Sequence, residues 1–255
     1  MLRIGRHEPV LFASDVHLSQ EAIGTARRFL SALDTHADSA AHLFLLGDLF
    51  ELWVGDDGAD PVAEAVADRL ARLSASGRRI WLMPGNRDFL LGVPLPGGAQ
   101  ERFDQRCGAT LLPDPCVVEL HGEPALLAHG DALCTDDAVY QAWRRTCRDP
   151  AWQRGFLDRP LAQRLAMGRA LRENSEAGKR EKPESLMDVN AGAVTRCMDE
   201  AGVALLIHGH THRPADHRWP ADERERRRLV LTDWDDRSDR GSLLSWESGE
   251  ARPLP

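Results

Sequence analysis

No run in the 255-residue sequence approaches the ~20 apolar residues that carry a helix across a bilayer. Its opening, MLRIGRHEPVLFASD, lacks the apolar stretch of about 7–15 residues that a signal peptide requires, so a cytoplasmic location is expected. Cysteine is sparse. Cys107, Cys116, Cys134, Cys147 and Cys197 are odd in number, scattered and without a CxxC pair, which argues against a disulfide framework or a thiolate zinc site and leaves buried or incidental thiols. Internal repeats and low-complexity segments are also missing. A basic excess is absent too: the formal net charge of −8 argues against general nucleic-acid binding, which rests on cationic side chains neutralising phosphates.

What remains is ordinary globular usage, 42% hydrophobic and 28% charged, in a length that suits one large α/β domain carrying an insertion. Five short apolar runs have strand character, and each leads straight into polar residues. They are VLFAS before Asp15, HLFLLG before Asp48, RIWLMPG before Asn86, ALLAH at His129 and ALLIHG before His210. Helical patterns lie between them. Ala22, Ile23, Ala26, Phe29, Leu30 and Leu33 recur at helical spacing behind a cap at Ser19. Asp60-Pro61 opens a second helix through Val62, Val66, Leu70 and Leu73 that stops near Gly77. A third starts at Asp188, faces Val189, Ala193, Val194, Cys197 and Met198 inward, and ends at Gly202.

Residues 138–186 break this rhythm. The stretch is helix-compatible and rich in large apolar residues such as Trp143, Trp152, Phe156, Leu157, Leu161, Leu165 and Leu171; between Tyr140 and Lys182 it carries eleven Lys or Arg against five acids. It reads as a helical lid inserted into a core of residues 1–137 and 187–255. An ordinary amphipathic helix pair with solvated arginines is the bland alternative. The ERERRR run at 223–228 reads as a solvated loop, and the residues after Arg218 carry no functional signal.

The polar clusters at the strand ends are Asp15-x-His17, Asp48 in GDLFE, Asn86 in GNRD, His129 in HGD and His210-x-His212 in GHTH. Singly each is weak: a lone His on an apolar strand is usually structural, and GD or HG often marks only a turn. As an ordered set they point to metal. Each follows an apolar strand, and glycine flanks four of the five clusters, giving the backbone room to pack closely around ions. Seven carboxylate, amide and imidazole donors exceed what one ion with an open position can use, and the mixture suits Mn²⁺, with Fe²⁺ or Zn²⁺ as alternatives. Asp48, alone at its strand end, is the natural bridge between two ions. Asp15, His17 and His212 then complete one ion, and Asn86, His129 and His210 the other.

The series DxH, GD, GN, HGD, GHTH resembles the calcineurin-like metallophosphoesterase superfamily. The segments GDLFELWVGDD, PGNRDFLLG, HGDALCTDDAVYQAWR, MDVN and IHGHTHRP are similar, over almost the whole chain, to the branch that splits the pyrophosphate of a diacylated UDP-glucosamine in lipid A biosynthesis. The resemblance implies an α/β fold, a four-layer β-sandwich flanked by helices, with the inserted lid holding two acyl chains. It implies attack at the α-phosphate by a two-metal-activated hydroxide, with two Mn²⁺ as cofactors and Mg²⁺ or another divalent ion as the alternative. It further implies Asp48, Asn86, Arg87 and His129 as catalytic residues. Expected substrate contacts are Asn86, Arg87, Asp137, Arg172, Ser175, Lys179, Lys182 and His210, with Asp137 at the polar part of the sugar. Peripheral attachment to the cytoplasmic face of the inner membrane follows from the lipid substrate, and a monomer is expected.

Two physical arguments accompany the resemblance. A pyrophosphate needs cationic compensation, and the one strongly basic segment is also the one with aromatics interleaved. Arg87 occupies the slot where many superfamily members carry a histidine, and arginine cannot donate a proton; a sugar-phosphate leaving group, with a second pKa of ~6, has little need of one. The competing readings are a metallophosphoesterase for another nucleotide pyrophosphate or phosphodiester, and a non-enzymatic membrane-surface or protein-binding module. Retention of all seven donors argues against the module.

Overall fold

The structure is a computed structural model. It describes residues 1–98, 100–181, 186, 188–221, 224–238, 240–247 and 249–254, except for the side chains of 176 and 179–181. The strands are β1 (Leu2–Ile4), β2 (Val10–Ala13), β3 (His42–Leu46), β4 (Arg79–Met83), β5 (Ala109–Leu111), β6 (Cys116–Leu120), β7 (Glu123–Ala128), β8 (Leu205–His208), β9 (Ala215–Ala221), β10 (Arg224–Val230), β11 (Leu243–Glu247) and β12 (Glu250–Leu254). They make two six-stranded sheets, ordered β12-β11-β2-β3-β4-β5 and β1-β6-β7-β8-β10-β9.

Alternation along the strands explains why the apolar runs are continuous. In β3, Leu43 and Leu45 face one way while Phe44 and Leu46 face the other, and all four are buried. Phe44 and Leu46 join Phe12, Leu127, Ile207 and Trp246 between the sheets. Leu43 and Leu45 meet Phe29 and Leu33 of α1 (Ile23–His36) and Val66 and Leu70 of α2 (Pro61–Ala75). A strand buried on both faces needs both sets of side chains apolar, and each fully buried Leu or Phe contributes about 1.5–3 kcal/mol. After the short α3 (Phe103–Arg106) come α4 (Ala138–Cys147), α5 (Pro150–Leu157), α6 (Leu161–Glu181) and α7 (Ala191–Ala201). Val194 and Met198 of α7 cover Leu126 and Leu206 on the outside of the second sheet. The result is four layers: helix, sheet, sheet, helix.

Helix boundaries agree with the sequence in part. Asp60 caps α2 by accepting from the Ala63 N–H at 2.8 Å, with Pro61 at the first position. Ser19 makes no side-chain cap; a short 3₁₀ turn at Gln20–Ala22 intervenes before α1. The cap of α7 is Asn190, whose Oδ1 accepts from the Ala193 N–H at 3.0 Å, while Asp188 pairs with Arg213, 3.0 Å distant. Residues 224–228 form β10 rather than a solvated loop, paired with β8 and β9. Its arginines are kept in a strand by their partners: Arg227 pairs with Asp216 at 3.0 Å and lies over the Trp246 ring at 5.4 Å.

Strands β2, β3 and β4 run parallel in one sheet, as do β7 and β8 in the other. Their carboxyl ends therefore meet at one edge of the sandwich, which brings Asp15, Asp48, Asn86, His129 and His210 together.

Candidate metal centre and adjoining cavity

Five non-glycine residues at this edge have left-handed backbones: Asp15 (φ 53°), His17 (53°), Asp48 (52°), His210 (68°) and His212 (54°). Such angles are uncommon outside glycine, and all five are among the seven donors expected from sequence. The loops are zipped to one another. Asp15 N–H donates to Gly47 O at 3.0 Å, His17 N–H to Asp48 O at 3.0 Å and Gly209 N–H to His129 O at 2.9 Å. His210 N–H donates to Asp15 Oδ2 at 2.8 Å, tying the two sheets together. A Cβ on Gly85 would lie 2.2 Å from Asp48 Oδ1, and one on Gly209 2.2 Å from Asp15 Oδ2; only glycine leaves room for the carboxylates.

Asp15, His17 and His212 form one group of converging ligand atoms, and Asp48, His129 and His210 another, with the atoms of each group within 4.8 Å of one another. Asp48 faces both, its Oδ2 4.0 Å from His17 Nε2 and its Oδ1 3.6 Å from His129 Nε2. Within the first group His17 Nε2 and His212 Nε2 stand 3.2 Å apart, and Asp15 Oδ1 is buried without a hydrogen-bond partner. Within the second, His129 Nδ1 lies 3.0 Å from Leu46 O and its Nε2 lies 2.9 Å from Asn86 Oδ1. Converging imidazole, amide and carboxylate atoms and an orphaned buried carboxylate oxygen fit divalent cations.

The titration behaviour follows from two buried carboxylates. Burial alone would lower His129, but Asp48 and Asp15 hold it up at about 9. Burial would raise Asp15, and its histidine neighbours outweigh that and keep it well below the carboxylate range. His210 is pushed down to about 4 by burial and by His129. Burial pushes the Cys107, Cys116 and Cys134 thiols up to about 12, which makes them inert, in keeping with their reading as incidental.

Beside the ligand groups lies a cavity of ≈ 580 Å³. Its lining combines the polar residues His17, Asp48, Asn86, His210 and His212 with the apolar residues Leu52, Val54, Phe89, Trp143, Phe156 and Leu171. Helix α6 approaches the 52–54 segment so closely that a Cβ on Gly168 would lie 2.8 Å from Leu52 Cδ1 and 3.0 Å from Val54 Cγ1. Arg87, Asp137, Arg172 and Ser175 also line the cavity. Asp137 doubles as the cap of α4, accepting from Tyr140 N–H at 3.0 Å. The Lys179 side chain and Lys182 lie outside the described residues.

Most of the basic charge of 140–182 does not face the cavity. Arg144 pairs with buried Asp131 at 2.9 Å and Asp114 at 3.0 Å, and Arg148 lies 3.6 Å from Asp131. Arg164, only 3% exposed, pairs with Asp57. These arginines rivet the helices to the core, and Asp114 in turn accepts from the His129 N–H at 3.0 Å.

Several contributors escaped the sequence reading. Asp88 of GNRD accepts from the N–H groups of Gly85 (2.7 Å), Leu49 (2.8 Å), Phe50 (3.2 Å) and Asp48 (3.3 Å), clamping the β3 and β4 ends together. Asp233, in the stretch read as functionless, stands 3.4 Å from His212 Nδ1. Glu51 stands 2.9 Å from His17 Nδ1. Its only signal was its place three residues after Asp48 in GDLFE.

Comparison with known proteins agrees with this geometry. Proteins named UDP-2,3-diacylglucosamine hydrolase are similar along most of the chain. The one from Aromatoleum aromaticum is 50% identical over 226 residues, 89% of each chain. That from Hahella chejuensis is 47% identical over 226 residues, again 89% of each. That from Cellvibrio japonicus is 47% identical over 224 residues, 88% of this chain and 90% of its own. The model of the calcineurin-like phosphoesterase family matches residues 8–214, a span that takes in every one of the seven converging donors. The chain belongs to the calcineurin-like phosphoesterase family.

Proposed function

We propose that this chain hydrolyses the pyrophosphate bond of UDP-2,3-diacylglucosamine in lipid A biosynthesis. The oxygen of water bonds to the α-phosphorus, the bond from that phosphorus to the bridging oxygen breaks, and UMP and 2,3-diacylglucosamine 1-phosphate leave. The observation that carries this reading is the cavity, whose lining joins the candidate ligands Asp48, Asn86 and His210 to the apolar side chains of Leu52, Val54, Phe89, Trp143, Phe156 and Leu171. A small polar substrate gives those apolar side chains no use; two acyl chains do.

Two Mn²⁺ ions, when bound, would generate a nucleophile from water at neutral pH and offset charge on the phosphoryl oxygens. Asp15, His17 and His212 would hold one, Asn86, His129 and His210 the other, and Asp48 would contribute to both. Asn86 and Arg87 contact the phosphates. Arg87 has no proton to give and stabilises the charge that develops on the phosphoryl group, which suffices because the leaving group departs as a phosphate anion. Asp137 meets the polar part of the sugar, Arg172 a phosphate, and Ser175, Lys179, Lys182 and His210 complete the substrate contacts. Residues 138–186 act as a lid over the acyl chains, on a core of 1–137 and 187–255. No helix among the described residues is long and apolar enough to cross a membrane. The lipid substrate and the apolar, basic lid support peripheral attachment at the cytoplasmic face of the inner membrane.

The test is UMP release by metal-stripped protein from UDP-2,3-diacylglucosamine and from UDP-N-acetylglucosamine, with Mn²⁺, Mg²⁺ or Zn²⁺ restored separately. Mn²⁺-dependent release from the acylated substrate alone is expected. Equal cleavage of both would refute the acyl-chain reading, and full activity with chelator present would refute the metal reading.

A further inference from the structure

Glu51 connects the ion ligands to the helices over the cavity. Its backbone is fixed by the zipper that joins the ends of β2 and β3: His17 N–H donates to Asp48 O at 3.0 Å, Leu18 N–H to Leu49 O at 2.9 Å and Glu51 N–H to Leu18 O at 3.1 Å. This places the carboxylate against the His17 ring, with Oε2 2.9 Å from Nδ1 as an ion-pair contact rather than an aligned hydrogen bond, while His17 Nε2 looks the other way, toward His212 and Asp48. The other oxygen, Oε1, faces arginine: Arg172 Nε of α6 at 2.7 Å and Arg87 Nη1 at 3.9 Å. Arg172 and Arg87 both line the cavity, as does Glu51 itself. The Glu51 side chain is 15% exposed, whereas Glu21, which takes Arg172 from outside at 3.2 Å, is 77% exposed. The Arg172–Glu51 pair is thus the less screened of the two and the one that fixes Arg172.

We propose that Glu51 is a positioning residue that makes the orientation of His17 and the placement of Arg172 depend on each other. A carboxylate behind a ligating histidine fixes its ring and raises its basicity. Here the same carboxylate is shared with Arg172, an arginine of α6 that lines the cavity. Ion binding through His17 and placement of Arg172 therefore reinforce one another, and linkage requires the reinforcement to be equal in both directions. The inference rests on the reading of His17 as an ion ligand.

The test is equilibrium binding of Mn²⁺ and, in parallel, of Co²⁺ to the metal-stripped full chain, followed by electron paramagnetic resonance and by visible absorption. Glu51→Ala is expected to weaken binding of the first-cluster ion about 10–100-fold. Arg172→Ala, which removes no ligand atom, is expected to weaken it about 5-fold or more in the wild-type background and to have no further effect in the Glu51→Ala background. Glu51→Gln keeps the shape and the contact with the His17 ring but gives up the charge that holds Arg172. It should therefore lose less ion affinity than Glu51→Ala while raising KM for the acylated substrate more than it lowers kcat. An Arg172→Ala effect on ion affinity that is absent, or equal in the two backgrounds, overturns the coupling. The underlying reading fails separately: His17→Ala with unchanged ion affinity would remove His17 from the ligands, whereas His17→Ala weakened beside Glu51→Ala unchanged would sink the role of Glu51 alone.

Discussion

The two groups of candidate ion ligands both face Asp48 but are held in different ways. In the first, both histidines are backed by side-chain carboxylates: His17 by Glu51 at 2.9 Å and His212 by Asp233 at 3.4 Å. In the second, His129 is backed by the main chain, its Nδ1 3.0 Å from Leu46 O, and the loops that carry Asp48 and Asn86 are clamped by Asp88 through four backbone N–H groups. The first group is adjustable by side chains and the second is built into the fold. A defect in the first should therefore appear as altered ion affinity, and a defect in the second as lost stability.

The shared residue should erase the distinction. Asp48→Ala is expected to abolish UMP release and to remove most ion binding by both groups, measured by metal analysis after gel filtration; a variant that keeps two tightly held ions would disprove the bridge. Asp88→Ala strands buried N–H donors and is expected to cost about 3 kcal/mol or more in denaturant unfolding of the metal-stripped chain. Asp233→Asn, by contrast, should leave that stability nearly unchanged and weaken ion binding about 10–100-fold. If Asp233→Asn proved the more destabilising of the two, the contrast between adjustable and built-in support would be lost.

A further expected effect is in pH. His129 is held up at about 9 by Asp48 and Asp15 against burial, above its ordinary value of about 6.5. A folded pKa above the unfolded one contributes stability that is complete below about pH 6.5 and is lost as pH rises through about 9. The metal-stripped chain should therefore lose thermal stability over that window, and an ion added at neutral pH should displace the proton and cancel the trend. His129→Ala should flatten the profile; a slope that survived the substitution would assign it to another group.

The strand ends were readable because a strand buried on both faces has little freedom of composition, so VLFAS, HLFLLG and ALLIHG announce themselves. The ordered donors that follow were readable for the same reason, since each stands where an apolar run stops. What sequence concealed depends on tertiary pairing. Glu51 and Asp233 look like ordinary acids until the fold sets them behind His17 and His212. The arginines of 224–228 suggested a loop because their partners, Asp216 and Trp246, come from other strands. Arg144, Arg148 and Arg164 counted toward a cationic cavity until Asp114, Asp131 and Asp57 claimed them. The start of α7 lay two residues beyond the expected one, where Asn190 and not Asp188 supplies the cap.

The left-handed backbones at Asp15, His17, Asp48, His210 and His212 imply a trade between endurance and chemistry. Each departs from the conformation its residue prefers at a cost of about 1–2 kcal/mol, which glycine would not incur. Replacing His17 and His212 by glycine should therefore yield a metal-stripped chain that melts at a higher temperature than the one carrying alanine at both positions, while holding no ion in the first group. The five angles sit on residues whose side chains converge at one sheet edge, so the strain is concentrated where the proposed chemistry is.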